Sequence, residues 1–362
     1  MKIKNIFFAA ILVLAGFSCS MEDDAIMNDV EKGIEEATEA YTVLDFGVAF
    51  NEMATKASTT VVPGEDRPAT GDENNDEKKI SEVSVFLLED GKVIGILIPQ
   101  NMNQVSSNSD GSITLKDLKF VTKYKTNRTL EAHVVINGNQ FLKNINIGDA
   151  QSALNQQISG CLSADQLIKY GSTRIVFGKD ITNSYSSPSV AENNPTTILV
   201  KVSHVAARLD FSQFDVTLKG FEGDPTVVFD EAKFVNLQQN GKIVEGDASV
   251  NVKDGAFLNR SNRIGTKWTD MGTAYGYANQ YKQDSEMNTA LYVKFTVDGR
   301  TFEKTYPINP AGITKEVDHN GIKGGYLYDI KVRWTITPDW GDSTIEFYTR
   351  DWVHNSIPEI VL

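Results

Sequence analysis

Short segments in which apolar and polar residues alternate recur along most of the chain, and this pattern constrains the fold more than any other feature. The clearest is YTVLDFGVAF at 41–50, where Leu44, Phe46, Val48 and Phe50 share one parity and therefore one face of a strand. Asp-Gly and Asn-Gly pairs, which favour tight hairpin turns, separate several of the segments. The sequence predicts further strands at 80–88, 93–98, 112–120, 128–136, 197–211, 213–218, 226–238, 242–246, 289–297, 300–306, 325–337 and 344–354.

Helical patterns are scarce by comparison. Only 149–170 spaces its apolar residues as a helix does, and it does so weakly. A Ser/Asn-rich loop between Pro188 and Pro195 is a candidate boundary, and 362 residues leave room for about two domains. We therefore predict an all-β chain of two β-sandwich domains, at 57–200 and 201–362.

Composition narrows the possible functions. The formal net charge is −13, so the chain has no electrostatic footprint for nucleic acid, and none is expected as a partner. Cys19 and Cys161 are the two cysteines, which excludes a disulfide-rich scaffold and a Cys-based zinc site. Cys161 is most simply a small core residue.

Residues 1–18 have the features of an export signal. Lys2 and Lys4 precede an apolar run at 6–17, which is shorter than the ~20 residues of a membrane-spanning helix. Cys19 follows directly, and cleavage before it would leave its thiol free to carry a diacylglycerol. The pattern indicates a lipoprotein signal with Cys19 as the lipidation site; an ordinary secretory signal is the alternative.

The polar stretch 51–79 after the first strand is unusually long for a connection in a compact domain, and such stretches are often functional. It contains Lys56 and Arg67. Asp72, Asn74 and Asp76 have the first spacings of a calcium loop, but the loop lacks its glycine and its final glutamate. A solvated loop is favoured, and no metal site is predicted.

Signatures of catalysis are absent from the sequence. There is no GxSxG, no P-loop and no GxGxxG after a strand, so no catalytic residue, no cofactor and no enzymatic activity are expected. Four tryptophans could line a sugar platform but at strand spacing are more often core residues: Trp268, Trp334, Trp340 and Trp352. His204 is expected to be a satisfied strand residue.

Four features, in this order, resemble the Bacteroidetes fimbrillin family, the subunits of type V pili. They are the lipoprotein signal, the first strand with its polar loop and then EKKISEVSVF at 77–86, the segment VAARLDF at 205–211, and YLYDIKV at 326–332 ahead of a last strand. Each motif is degenerate, and their order along the whole chain carries the resemblance.

The resemblance implies two transthyretin-like β-sandwich domains in tandem and polymerisation by donor-strand exchange. A subunit of this kind is exported to the outer membrane as a lipoprotein. A Lys- or Arg-specific surface protease then cuts after the first strand, here between Lys56 and Ala57, with Arg67 as the alternative. The released piece would be 19–56, and the partners would be other fimbrial subunits, most simply copies of the same chain in a fimbria that supports adhesion.

The energetics of the first strand agree with this implication. Its four inward residues would together contribute ~6–12 kcal/mol on burial, which is comparable to the stability of a whole domain. A groove left without this strand would also present unpaired backbone groups to an incoming strand. The alternative is a permanent N-terminal strand, as in an anchor or tip subunit.

The C-terminal segment is the expected donor. Trp352 would anchor it, and Val353, Ile357 and Val361 share one parity, while Pro358 removes one backbone donor. Alternatively, this tail is only a last strand of its own domain. Beside the fimbrial function, a surface glycan-binding lipoprotein of a polysaccharide-uptake system would share the signal, the acidity and the sandwiches.

Overall fold

Strands dominate the structure, a computed structural model that describes residues 39–50, 75–99, 105–107, 113–244, 246–258, 263–312, 319–339 and 341–351. The strands are β1 Tyr41–Phe50, β2 Val83–Glu89, β3 Lys92–Leu97, β4 Val105–Ser107, β5 Ile113–Lys123, β6 Thr129–Ile136, β7 Gln157–Ser159, β8 Lys169–Val176, β9 Thr196–His204, β10 Ala207–Leu218, β11 Val227–Val235, β12 Leu237–Gln238, β13 Asn240–Lys242, β14 Val252–Lys253, β15 Phe257–Leu258, β16 Arg263–Ile264, β17 Lys267–Gly276, β18 Ala290–Val297, β19 Arg300–Pro307, β20 Tyr326–Ile336 and β21 Gly341–Asp351. A single α-helix among these residues, α1 Pro188–Glu192, is one turn and a half long. The all-β prediction is confirmed.

The weak helical pattern at 149–170 does not form an α-helix, so that prediction is wrong. The segment instead contains a 3-10 turn at Gln151–Leu154, strand β7 and a second 3-10 turn at Ala164–Gln166. Gly160 and Cys161 both have positive φ, 71° and 54°, which a right-handed helix does not allow. The apolar residues are buried nonetheless, because the irregular backbone lays Leu154 and Ile158 into a core cluster.

The first half of the described chain folds into a sheet with strand order β3-β2-β6-β8-β9-β1-β5-β4. β8 and β9 pair through two residues of each strand only, and the sheet folds into two layers between them. The far strands consequently approach each other, since a Cβ added at Gly95 of β3 would lie 2.8 Å from the ring of Phe120 on β5. The two layers enclose a core of Leu44, Phe46, Val48, Ile80, Val83, Val85, Leu87, Leu118, Leu130, Ala132, Val134, Ile136, Ile175, Phe177, Ile181, Val200 and Val202.

The second half packs a four-stranded sheet, in the order β17-β10-β20-β21, against a five-stranded sheet, in the order β15-β11-β18-β19 with β16 also paired to β11. Their inward positions supply an aromatic core in which Phe214 contacts the rings of Phe229, Trp268 and Phe295 at centroid distances of 5.3 Å. Trp334 from β20 meets Phe295 at 5.0 Å. Large rings therefore fill the space that shorter aliphatic residues fill in the first half.

The chain passes from the first sheet to the second through Val205 and Ala206, which interrupt the single strand predicted at 197–211. A third cluster joins the halves, because Ala206, Ile243, Tyr277 and Leu327 pack with residues of β2, β3 and β6. The described residues from Glu39 onward form one compact unit. The division into domains at 57–200 and 201–362 therefore stays a prediction. No helix in the described part of the chain is long and apolar enough to span a membrane.

Candidate functional site

The first strand lies inside its sheet and not at the edge. β1 pairs antiparallel with β5, from Tyr41 opposite Lys123 to Val48 opposite Ile113, and parallel with β9, from Leu44 beside Thr196 to Phe50 beside Val202. A bulge between Asp45 and Gly47 interrupts the β5 register. Removing β1 would leave a groove with unpaired backbone on both walls.

Both faces of β1 are covered. Leu44, Phe46 and Val48 are 0% exposed and belong to the core of the first half, as their parity predicts. Val43 on the opposite face is also fully buried, and α1 packs against the strand. A strand buried on two faces loses more apolar contact on leaving than the one-sided alternation in the sequence indicates.

Two polar side chains of β1 are poorly accommodated. The Thr42 hydroxyl and the Oδ1 atom of Asp45 are buried without a hydrogen-bond partner in the described part of the protein. Desolvation raises the pKa of the Asp45 carboxyl, and Lys119, which stands opposite on β5, opposes this shift only in part.

A buried ionic network holds the chain where it re-enters the described structure after β1. Glu77 is 0% exposed and lies in a 3-10 turn at Asn75–Lys78. Arg208 of β10 donates from Nη1 to its Oε2 at 3.0 Å, and the hydroxyl of Tyr275 donates to Oε1. Burial raises the pKa of the Glu77 carboxyl, while Arg208 and Tyr275 lower it. The network ties residues 75–78 to the second half.

A buried amine lies beside this network. Lys169, also 0% exposed, donates from Nζ to the carbonyl oxygens of Lys79 and Leu167, each at 3.2 Å. Asn137 donates to the same two carbonyls through Nδ2. Desolvation lowers the pKa of Lys169 to about 7, and Glu77 opposes the shift.

The last described strand, β21, lies at the edge of its sheet and pairs with β20 from Gly341 opposite Ile336 to Asp351 opposite Tyr326. It carries the chain directly to the predicted donor segment. That segment, with Trp352, Val353, Ile357 and Val361, lies outside the described residues, as do Cys19, Lys56, Ala57 and Arg67. The roles assigned to these residues stay predictions.

The other candidate residues have structural roles where the structure describes them. Trp268 and Trp334 are core residues, as expected, and cannot form a sugar platform; Trp340 and Trp352 lie outside the described part. His204 is buried, with Nε2 3.2 Å from the carbonyl oxygen of Glu77. Cys161 is only partly buried at the margin of a core cluster, accepting a hydrogen bond from Gln140, so the prediction of a core residue was too simple.

Sequence reasoning missed Glu77 and Arg208 as a pair. Arg208 stands in the apolar segment VAARLDF, and an arginine at a strand position in such a run is a signal for a buried acidic partner. The partner lies 131 positions away in the sequence, so pattern alone could not identify it. Within the described ranges, no group of three or more His, Cys, Asp or Glu side chains could hold a metal ion.

Comparison with solved structures shows the fold. The chain is similar to two crystal structures of putative cell adhesion proteins from Parabacteroides distasonis ATCC 8503. For one the TM-score is 0.55, at 17% identity over 87% of this chain and 97% of the other; for the second it is 0.51, at 13% identity over 87% and 100%. The tip fimbrial protein Mfa3 from Porphyromonas gingivalis, with C-terminal truncation, has a TM-score of 0.49, at 11% identity over 86% and 100%.

No family model matches the sequence, and no curated protein matches it. The likeness therefore establishes that this chain shares the all-β fold of the Parabacteroides proteins.

Proposed function

We propose that this chain is a structural, non-catalytic subunit of a fimbria on the outer surface of the cell. The subunit is exported as a lipoprotein whose lipid is attached to Cys19, and it assembles with other fimbrial subunits by strand replacement. The observation that carries the proposal is the position of β1. It lies between β5 and β9 inside a sheet, yet it is joined to the rest of the described structure only through 51–74. One cut in that segment would make β1 a separate chain.

The ends of the segment fit this role. β1 reaches the segment at Phe50, and the network around Glu77 fixes the chain at 75–78. A cut after Lys56 or Arg67 would therefore separate β1 without loosening the residues that hold the two halves together. The sequence resemblance to fimbrillins and the fold shared with the putative cell adhesion proteins support the same proposal.

The tail after β21 is the proposed donor. β21 lies at the sheet edge of the second half and leads into 352–362, which in this proposal reach a neighbouring subunit. Val353, Ile357 and Val361 would enter the groove that β1 leaves, with Trp352 as the anchor in the donor's own fold.

Processing is tested on material released from the surface of cells that express the full chain with a Lys/Arg-specific surface protease. Lys56→Ala should retain 19–56 in the surface form read by mass spectrometry, whereas Arg67→Ala, its matched control, should be processed normally. The reverse result would move the cut to Arg67. Normal processing of both variants would contradict cleavage at a basic residue of this segment.

Assembly is tested on gels run without boiling. The wild type should give a ladder of SDS-resistant bands, and truncation after Trp352 should abolish it while the monomer is still folded and exported. Ile357→Asp should weaken the ladder more than Ser356→Asp, which carries the same charge on the other parity. A ladder from the truncated chain would show that the tail is not the donor.

A further inference from the structure

The strand that the proposed function removes carries buried polar atoms without partners. Two buried side-chain polar atoms of the ten-residue strand β1 have no hydrogen-bond partner in the described part of the protein, Thr42 Oγ1 and Asp45 Oδ1. A buried polar group without a partner loses its hydrogen bonds to water and gains none in exchange, which destabilises the folded state. Each of these atoms therefore weakens the hold of the groove on β1.

The neighbouring strand β5 shows why the Thr42 hydroxyl has no hydrogen-bond partner. Thr42 faces Thr122 of β5 in the register, and Arg128 donates from Nη1 to the Thr122 hydroxyl at 2.6 Å. The Thr42 hydroxyl is fully buried and receives no such bond. An apolar side chain of similar shape would lose nothing at this position.

Asp45 is the second residue of β1 with a poorly accommodated polar side chain. Its side chain points to the face opposite Leu44 and Phe46, beside the bulge, and Lys119 stands across from it on β5. Burial raises the pKa of its carboxyl, so the charged form is held unfavourably there. The amide of an asparagine would keep the shape and remove the charge.

The corresponding strand of the second half is better matched. β10 also lies between an antiparallel and a parallel partner, and one of its side-chain atoms, Asp215 Oδ1, is likewise buried without a hydrogen-bond partner. The other oxygen of that carboxylate accepts a hydrogen bond from Gln213. Arg208 and Ser212 of β10 also have partners, Glu77 and the carbonyl of Ile330.

We infer that β1 fits its groove imperfectly at Thr42 and Asp45, and that the groove is built for an extended segment of another polypeptide that fits these two positions better. This segment places an apolar residue where Thr42 stands and has no carboxylate where Asp45 stands. The inference rests on the proposed function, because it describes the strand that replaces β1.

The test uses the full chain with a specific protease site placed within 51–74, so that cutting does not depend on the native protease. After the cut, dissociation of a fluorescently labelled N-terminal piece is followed in an excess of unlabelled peptide 39–50. Thr42→Val should slow dissociation roughly tenfold, the equivalent of one unsatisfied buried group, and Asp45→Asn should slow it by a smaller factor. Thr301→Val is the matched control, since it makes the same change at an exposed position of β19, a strand that does not pair with β1, and should change nothing.

A second readout does not depend on exchange. The uncut Thr42→Val chain should melt about 2 °C above the wild type, and a synthetic peptide 39–50 with both substitutions should displace wild-type β1 from the cut chain more completely than the wild-type peptide does. Release of wild-type β1 with no slowing and no gain in melting temperature for Thr42→Val would overturn the inference and leave the proposed function standing. Failure of any peptide to displace β1 after the cut would overturn both.

Discussion

β1 and β10 occupy equivalent places in the two halves of the molecule. Each is the first strand of its half, each pairs antiparallel on one side and parallel on the other, and each carries a bulge near its middle. They differ in how the chain enters and leaves them. β10 follows β9 after two residues and leads to β11 through 219–226, whereas β1 is followed by the long segment 51–74.

β1 and β10 are packed alike but are connected differently to the rest of the chain. Phe46 and Phe214 are both fully buried core rings, so burial does not distinguish the two strands. A single cut frees β1, while β10 stays attached through β9 after a cut in 219–226. Under the proposed function, connectivity and the unsatisfied groups of β1 are what distinguish the first strand as the replaceable one.

The largest expected effect comes from removing β1 altogether. A chain that begins after residue 56 should lose most of the stability of its first half, because the strand contributes several kcal/mol of apolar burial and hydrogen bonds along both sides. Circular dichroism melting should show this loss, and peptide 39–50 added in trans should restore the transition. Stability unchanged by the deletion would contradict the groove described for β1.

Substitution of matched rings sharpens the comparison. Phe46→Ala and Phe214→Ala should each lower the free energy of unfolding by about 3–5 kcal/mol, measured with urea. After a cut within 51–74, only Phe46→Ala should speed release of the N-terminal piece, by tenfold or more. Equal acceleration by Phe214→Ala would show that the two halves do not hold their first strands independently.

The Glu77 network should respond more weakly. Glu77→Ala leaves Arg208 buried with Asp210 as its remaining partner at 2.9 Å, and we expect a loss of about 3 kcal/mol, at the low end for a broken buried pair. The double variant Glu77→Leu, Arg208→Met should recover much of it, because no unpaired charge remains. A double variant no better than the single one would assign the loss to packing.

The last prediction concerns the pH dependence of stability. The folded chain holds the pKa of Lys169 at about 7, whereas an unfolded lysine titrates near 10.4. Between these values the unfolded state binds more protons, so the Lys169 contribution to stability should rise with pH from about 7 upward and be smallest below it. Urea unfolding at a series of pH values should show a shallower rise for Lys169→Met than for the wild type, while Lys179→Met, at an exposed position, should leave the slope unchanged.

The sequence predicts local features of this fold well and distant ones poorly. The parity of 41–50 predicts which residues of β1 enter the core, because alternation is a property of the strand itself. The pairing of β1 with β9, about 150 positions later, leaves no local signal. Parallel pairing of this kind was not predicted for β1 or β10.

Two wrong predictions from the sequence, a helical pattern and an unbroken strand, have local causes. The pattern at 149–170 mimics a helix because core contacts made by short irregular turns can fall at helical spacing. The strand predicted at 197–211 is broken at Val205 and Ala206, where the chain crosses between sheets although its apolar character continues. The Glu77–Arg208 pair escaped prediction because the acidic residue lies in a stretch that reads as solvated loop.

The pairing of β1 on both sides has a mechanical consequence. A pull along the strand axis would load the hydrogen bonds to β5 and β9 together, in shear, since they lie across the direction of pull. Peeling from one end, which breaks bonds one after another, is open to an edge strand but not to one enclosed between two neighbours. A strand seated in this groove would hold against tension along its own axis far better than against a force applied across it.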